Sequence, residues 1–130
     1  MDTAALDEIP TFANLTTEER DEVAGCLRDV TVESGATLAV QGDNAFQLFV
    51  IESGTAEVRR DGEVIATLGP GDVFGEIGLL ATGTRTATVV ATSPMQLGAM
   101  FIREFKELEG RMPQLAKSLR DGMATRPWTS

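Results

Sequence analysis

Hydrophobic positions along the chain change period twice. Thr16 stands three residues before Glu19, the spacing of a capping box, and Val23, Ala24 and Leu27 follow at helical intervals. This predicts a helix from Thr16 to about Arg28. Residues 1–11 show no clear period; Pro10 breaks the chain there, and Phe12 and Leu15 are candidate core anchors. From Asp29 the pattern becomes short runs rich in β-branched residues: Val30–Val32, Thr37–Val40, Gln47–Ile51, Thr55–Arg59 and Val64–Leu68, separated by Gly35, Gly42, Gly54, Gly62 and Gly69. Asp61-Gly62 between two of these runs is a hairpin signal, and such closely spaced turns favour an antiparallel sandwich or barrel over alternating β-α units. Strands resume at Thr86–Ala91 and Met95–Met100, with Pro94 at the turn between them.

After Phe101 the period is helical again. Ile102, Phe105 and Leu108 form one stripe, and Leu115, Leu119 and Met123 another. Gly110 and Pro113 divide them, and proline is tolerated in a first helical turn but not in an interior. Short helices are therefore predicted near 102–109 and 113–124, with Trp128 beyond a stop at Pro127. The resulting plan is one mainly β domain over 1–130 with flanking helices: helical 10–28, barrel 29–101, C-terminal helices 102–125. A chain of 130 residues can bury a single core without disulfide or metal staples.

Composition narrows the function. Apolar residues make up 42% and charged residues 24%, with no apolar run long enough to suggest a membrane span. The start lacks the basic and apolar segments of a signal peptide, and Cys26 has no partner within the chain, so a cytoplasmic protein is expected. The net charge is −9, and residues 1–34 hold nine carboxylates against Arg20 and Arg28. That excess disfavours non-specific binding to nucleic acid or to an anionic membrane. The absence of histidine excludes histidine-based triads and histidine-rich metal sites; Cys26 falls in a packing helix and no serine has an evident base. No catalytic residue, metal site or cofactor is expected, and the chain reads as a binding protein, not an enzyme.

One interruption of the β pattern carries chemistry: Phe74-Gly75-Glu76-Ile77-Gly78-Leu79-Leu80, then, after Ala81 to Thr84, Arg85-Thr86-Ala87-Thr88-Val89. It holds one glutamate and one arginine in small or apolar surroundings, with glycines where a backbone can approach a ligand closely. A carboxylate is a poor partner for phosphate but accepts well from a sugar hydroxyl, while a guanidinium can grip two phosphate oxygens. Together they suit a sugar phosphate. Taken singly, Glu76 could equally be a solvated loop acid and Arg85 an ordinary surface arginine.

In order, spacing and both charged residues, this run resembles the phosphate-binding cassette of cyclic-nucleotide-binding domains. The resemblance extends over the whole layout. It implies an eight-stranded antiparallel jelly-roll-like barrel interrupted by a short cassette helix, with an N-terminal helical segment and two C-terminal helices. It implies cyclic AMP or cyclic GMP as a regulatory ligand, Arg85 on the exocyclic phosphate oxygens, and Glu76 accepting from the ribose 2′-OH. Phe74, Gly75, Ile77 and Gly78 complete the cassette, and Thr86 and Ala87 add backbone or hydroxyl hydrogen bonds. In related domains a threonine at the place of Thr86 can reach a guanine amino group, yet domains with the same residue can still prefer cyclic AMP. Val58 and Leu68 resemble base-contacting strand residues and are equally ordinary barrel core. Gly78 stands where alanine is common and Thr84 where proline is common; neither change removes a charged contact.

The expected function is a sensor that prefers cyclic AMP to cyclic GMP and couples occupancy to movement of the C-terminal helices. Its partner would be an effector domain or a second copy in a homo-oligomer. The alternative is a structural or dimerisation domain with a vestigial cassette. A DNA-reading module has no room before the last residue, so no nucleic-acid binding is expected of this chain.

Overall fold

At the start of the first long helix, the Thr16 hydroxyl accepts from the Glu19 N–H at 3.1 Å while the Glu19 carboxylate accepts from the Thr16 N–H at 2.9 Å. This closes the capping box that the spacing predicts. The computed structural model describes residues 1–44, 46–75 and 85–124, with side chains in the last helix as far as Ser118. Helix α2 spans Thr17–Cys26 and buries Val23 and Ala24. Two turns precede it where no period was visible: a short helix α1, Thr3–Asp7, and a 3-10 turn, Pro10–Phe12. Each is too short to show a repeating stripe, and each is held by one buried residue, Leu6 and Phe12.

The strands are β1 (Arg28–Val32), β2 (Thr37–Ala39), β3 (Gln47–Ser53), β4 (Ala56–Arg60), β5 (Glu63–Leu68), β6 (Val73–Phe74), β7 (Thr88–Ala91) and β8 (Met95–Phe101). They form two four-stranded sheets, ordered β1-β8-β3-β6 and β2-β7-β4-β5, with antiparallel pairings throughout. This is the jelly-roll-like arrangement, built as two facing sheets. Asp61 and Gly62 take φ of 54° and 84°, the left-handed pair of a two-residue hairpin turn, and Arg60 pairs with Glu63 across it.

Two differences from the predicted strands have clear causes. β6 supplies an eighth strand that no alternating run announced, since two residues cannot display a period. Thr86 and Ala87 lie outside β7, because the Thr86 carbonyl accepts from Arg60 Nε at 3.1 Å and ladder pairing with β4 begins only at Thr88.

Alternation on the strands divides the core in two. Phe49, Ile51, Val58, Leu68, Phe74, Val89 and Leu97 fill the space between the sheets. Leu48, Val50, Val73 and Met100 point the other way, into a second cluster with Phe12, Val23, Leu27, Phe105, Leu108 and Leu115. Helices α3 (Ile102–Arg111) and α4 (Pro113–Ala124) follow β8. The predicted break falls at Met112, which leaves helical geometry with φ −130° and ψ 76°; Gly110 stays helical. Among the described residues no helix is long and apolar enough to cross a membrane.

Candidate functional site

Arg85 enters the space beneath β3 from the segment just before β7. Its backbone is fixed on both sides by the β2–β3 loop: the Arg85 N–H donates to the Asp43 carbonyl at 2.7 Å, and the Gly42 N–H donates to the Arg85 carbonyl at 2.9 Å. Gly42 makes this approach with φ 88°, a conformation that costs glycine little. The residue is only 7% exposed. Its Nη2 donates to the Gln47 carbonyl at 2.7 Å, and its Cζ lies 5.7 Å from the centroid of the Phe49 ring, within cation–π range.

The other terminal nitrogen, Nη1, is buried and has no hydrogen-bond partner among the described residues. No described carboxylate lies within ion-pair distance of the group. Burial therefore lowers the Arg85 pKa, because desolvation disfavours the charged form. A buried guanidinium with spare donors and no counter-charge among the described residues has the chemistry of an anion site.

Phe74 and Gly75 shape the surroundings. Phe74 is fully buried at the end of β6 and stacks on Phe49 with centroids 5.0 Å apart and planes at 22°. Gly75 follows with φ 92°. A Cβ there would collide with Arg85 Nη1 and sit 2.9 Å from the Gln47 carbonyl. The glycine is thus needed for space as well as for backbone geometry. Next to the guanidinium is a cavity of about 550 Å³, whose walls include Ala39, Val40, Asp43, Phe46, Phe49 and Arg85. That volume lies within the ~300–1,000 Å³ usual for small-molecule sites, and apolar walls with a few convergent polar groups are their usual make-up.

The residues singled out in the sequence are distributed as follows. Phe74, Gly75 and Arg85 come together; Thr86 follows half-buried, and Ala87 turns into the core. Val58 and Leu68 are buried between the sheets, where Val58 pairs with Val89 and Leu68 with Ala56. Glu76, Ile77 and Gly78 lie outside the described residues. Sequence reasoning missed the contribution of the β2–β3 loop and of Gln47 and Phe49, all read as plain turn or strand. Gly42 was the available signal, since a glycine between two apolar runs marks a turn without showing what packs on it. Among the described residues no group of three histidine, cysteine or acidic side chains could hold a metal ion.

Comparison with known proteins identifies the family. The family model for the cyclic nucleotide-binding domain matches residues 29–111. The chain is 34% identical over 114 residues to a cAMP-dependent protein kinase regulatory subunit of Schizosaccharomyces pombe, covering 87% of this chain and 28% of the relative. It is 36% identical over 107 residues to the subunit of the same name from Yarrowia lipolytica, covering 81% and 28%. The crystal structure of the Thermus thermophilus catabolite activator protein superposes with a TM-score of 0.80 at 32% identity, over 88% of this chain and 56% of that one. The chain thus spans little more than a quarter of the two kinase subunits. The fold, the placement of Arg85 and the family match lead to one assignment: this chain belongs to the cyclic nucleotide-binding domain family.

Proposed function

We propose that this chain binds a 3′,5′-cyclic purine nucleotide, cyclic AMP in preference to cyclic GMP, and acts as a non-catalytic regulatory sensor. The observation that carries the reading is Arg85, buried beside a mostly apolar cavity with Nη1 unpaired among the described residues. A cyclic phosphate would give that nitrogen a charged acceptor, each such hydrogen bond contributing roughly 1.5–3 kcal/mol. In this reading Glu76 accepts from the ribose 2′-OH, and Phe74, Gly75, Ile77, Gly78, Thr86 and Ala87 line the sugar-phosphate. Val58 and Leu68 support the base from the barrel side. The kinase-subunit relatives carry cyclic AMP in their names, which supports adenine over guanine.

Occupancy is passed to α3 and α4. The carbonyl of Phe46, a wall of the cavity, accepts from the N–H of Ile102, the first residue of α3, at 2.8 Å. Movement of that wall is therefore felt where the helices begin, and the non-helical Met112 is the joint at which α4 can turn. An effector domain or a second copy then reads the helix position, in the cytoplasm.

Calorimetric titration with cyclic AMP, cyclic GMP and linear 5′-AMP tests the binding. Cyclic AMP should bind most tightly and 5′-AMP least. No heat and no rise in melting temperature at millimolar cyclic nucleotide would leave a structural domain of the same fold, since even a Kd of ~1 mM corresponds to about −4 kcal/mol. Amide exchange across 113–124 should slow with ligand; equal exchange in both states would make α4 a fixed wall.

A further inference from the structure

The β2–β3 loop and the β4–β5 hairpin both reach the segment that carries Arg85, and one exposed residue, Gln41, ties them to each other and to β7. Gln41, at the start of the β2–β3 loop, donates its backbone N–H to the Thr88 hydroxyl at 2.9 Å. Its side-chain amide pairs with Asp61 at the tip of the β4–β5 hairpin in both directions. Nε2 donates to the Asp61 carboxylate at 2.9 Å, and Oε1 accepts from the Asp61 N–H at 2.9 Å. Asp61 holds φ 54° to make this pairing, a conformation that aspartate tolerates better than most residues. The neighbouring residues complete the assembly. Gly42 and Asp43 clamp the Arg85 backbone on both sides, and Arg60, next to Asp61, donates from Nε to the Thr86 carbonyl at 3.1 Å.

We infer that Gln41 is a positioning residue for the anion site. It is not among the residues lining the cavity, so its effect on a ligand must pass through the backbone that it holds. A guanidinium that grips phosphate oxygens does so only if its Cα is fixed to within a fraction of an ångström, and that precision comes from surrounding hydrogen bonds. Gln41 supplies them by locking the hairpin tip to the loop that clamps Arg85. The inference rests on the cyclic-nucleotide reading for its effect on affinity, but the clasp itself can be measured without ligand.

The chemistry of the pair provides a reversible test. Gln41→Glu keeps an acceptor for the Asp61 N–H but replaces the amide donor with a carboxylate facing the Asp61 carboxylate. Adding Asp61→Asn supplies a donor on the other side and still tolerates the left-handed backbone. The full chain is titrated calorimetrically with cyclic AMP as wild type, Gln41→Glu and the double variant, and amide exchange at Gly42 and Arg85 is followed in each without ligand. Gln41→Glu should weaken binding roughly two- to tenfold, the range for one or two modest hydrogen bonds. It should speed exchange at both amides, and the double variant should restore both. Unchanged exchange in Gln41→Glu overturns the inference, as does a loss of affinity that Asp61→Asn fails to restore while the melting temperature recovers. If the wild type binds no cyclic nucleotide, the functional reading fails, and the clasp stands or falls on the exchange data alone.

Discussion

Replacing Arg85 by methionine should move stability and affinity in opposite directions. The guanidinium is a base whose pKa is lowered in the fold by burial. Its charged form is therefore disfavoured in the native state relative to the unfolded one. That cost is fully present below the native pKa, hence at neutral pH, and disappears only as pH rises through it. The folded protein recovers part of the cost through Nη2 on the Gln47 carbonyl, worth about 1.5–3 kcal/mol for a charged donor. A further ~0.5–1 kcal/mol comes from the Phe49 ring. Against these stands a desolvation penalty of several kcal/mol per buried ion, large enough that even exchanging a whole buried ion pair for apolar residues is often neutral or stabilising by about 1–4 kcal/mol.

Methionine is flexible enough to fill the same space and can place its sulfur against Phe49. The balance is a gain of roughly 1–2 kcal/mol in the ligand-free protein, or a rise of roughly 3–8 °C in melting temperature for a chain of this size. For the ligand, losing the buried charged partner costs about 2–5 kcal/mol, a loss of about thirty-fold to several thousand-fold in cyclic AMP affinity. Differential scanning calorimetry without ligand and isothermal titration with it measure the two effects on one sample. A variant that melts lower than wild type without ligand would refute the reasoning, because Arg85 would then be a satisfied structural group and its free nitrogen no sign of a ligand.

Further outcomes follow from single contacts. Gly75→Ala should lower both stability and affinity, because the new Cβ must displace the Arg85 guanidinium and adopt φ 92°; the strained backbone alone costs about 1–2 kcal/mol, read by thermal melts alongside titration. Thr16→Ala should cost about 1 kcal/mol through the lost capping box and leave cyclic AMP affinity unchanged, so a change in affinity would show that α2 is coupled to the site. Thr86→Ala should alter the ratio of cyclic GMP to cyclic AMP affinity in a competition titration, and an equal effect on both would remove its selectivity role. Burial lowers the Arg85 pKa and a bound phosphate raises it again, so affinity should fall only as pH climbs toward the guanidinium range. With no histidine in the chain, titrations between about pH 6 and pH 8 should return one affinity.

The legible parts of the chain were those with a repeating signal. Thr16 and Glu19, the Asp61-Gly62 turn and the stripe of Phe105 and Leu108 each express local chemistry, and each element forms there, although α2 stops at Cys26 and Arg28, expected at the helix end, opens β1. The break before Pro113 is similar: proline cannot donate, and the chain leaves helical geometry at Met112. What could not be read was pairing between distant segments. Nothing in Gln41-Gly42-Asp43 announces that it will clamp Arg85, and nothing in Phe49 distinguishes it from Leu48 until the strand is placed between two clusters. Arg85 itself was legible only through its neighbours in sequence; its burial, and a nitrogen left unpaired among the described residues, are properties of the fold.

The same geometry bears on where the proposed ligand signal would leave the site. Strand β3 is buried on both faces, with Phe49 toward Arg85 and Leu48 and Val50 toward the helical cluster. It lies between β8 and β6 in its sheet. Sliding it would break hydrogen bonds on both edges and repack two cores at once, so it behaves as a fixed wall. The proposed response falls on two places outside the sheet ladders: the exposed loop residue Phe46, whose carbonyl accepts from Ile102 at the head of α3, and the non-helical Met112 ahead of α4. In the proposed reading, a ligand that bears on Phe46 would act on the helices through Ile102, the first residue of α3. Because differential affinity for two helix positions is the only way a ligand can shift them, the proposed movement of α4 requires that the nucleotide favour one setting of the Met112 joint over another.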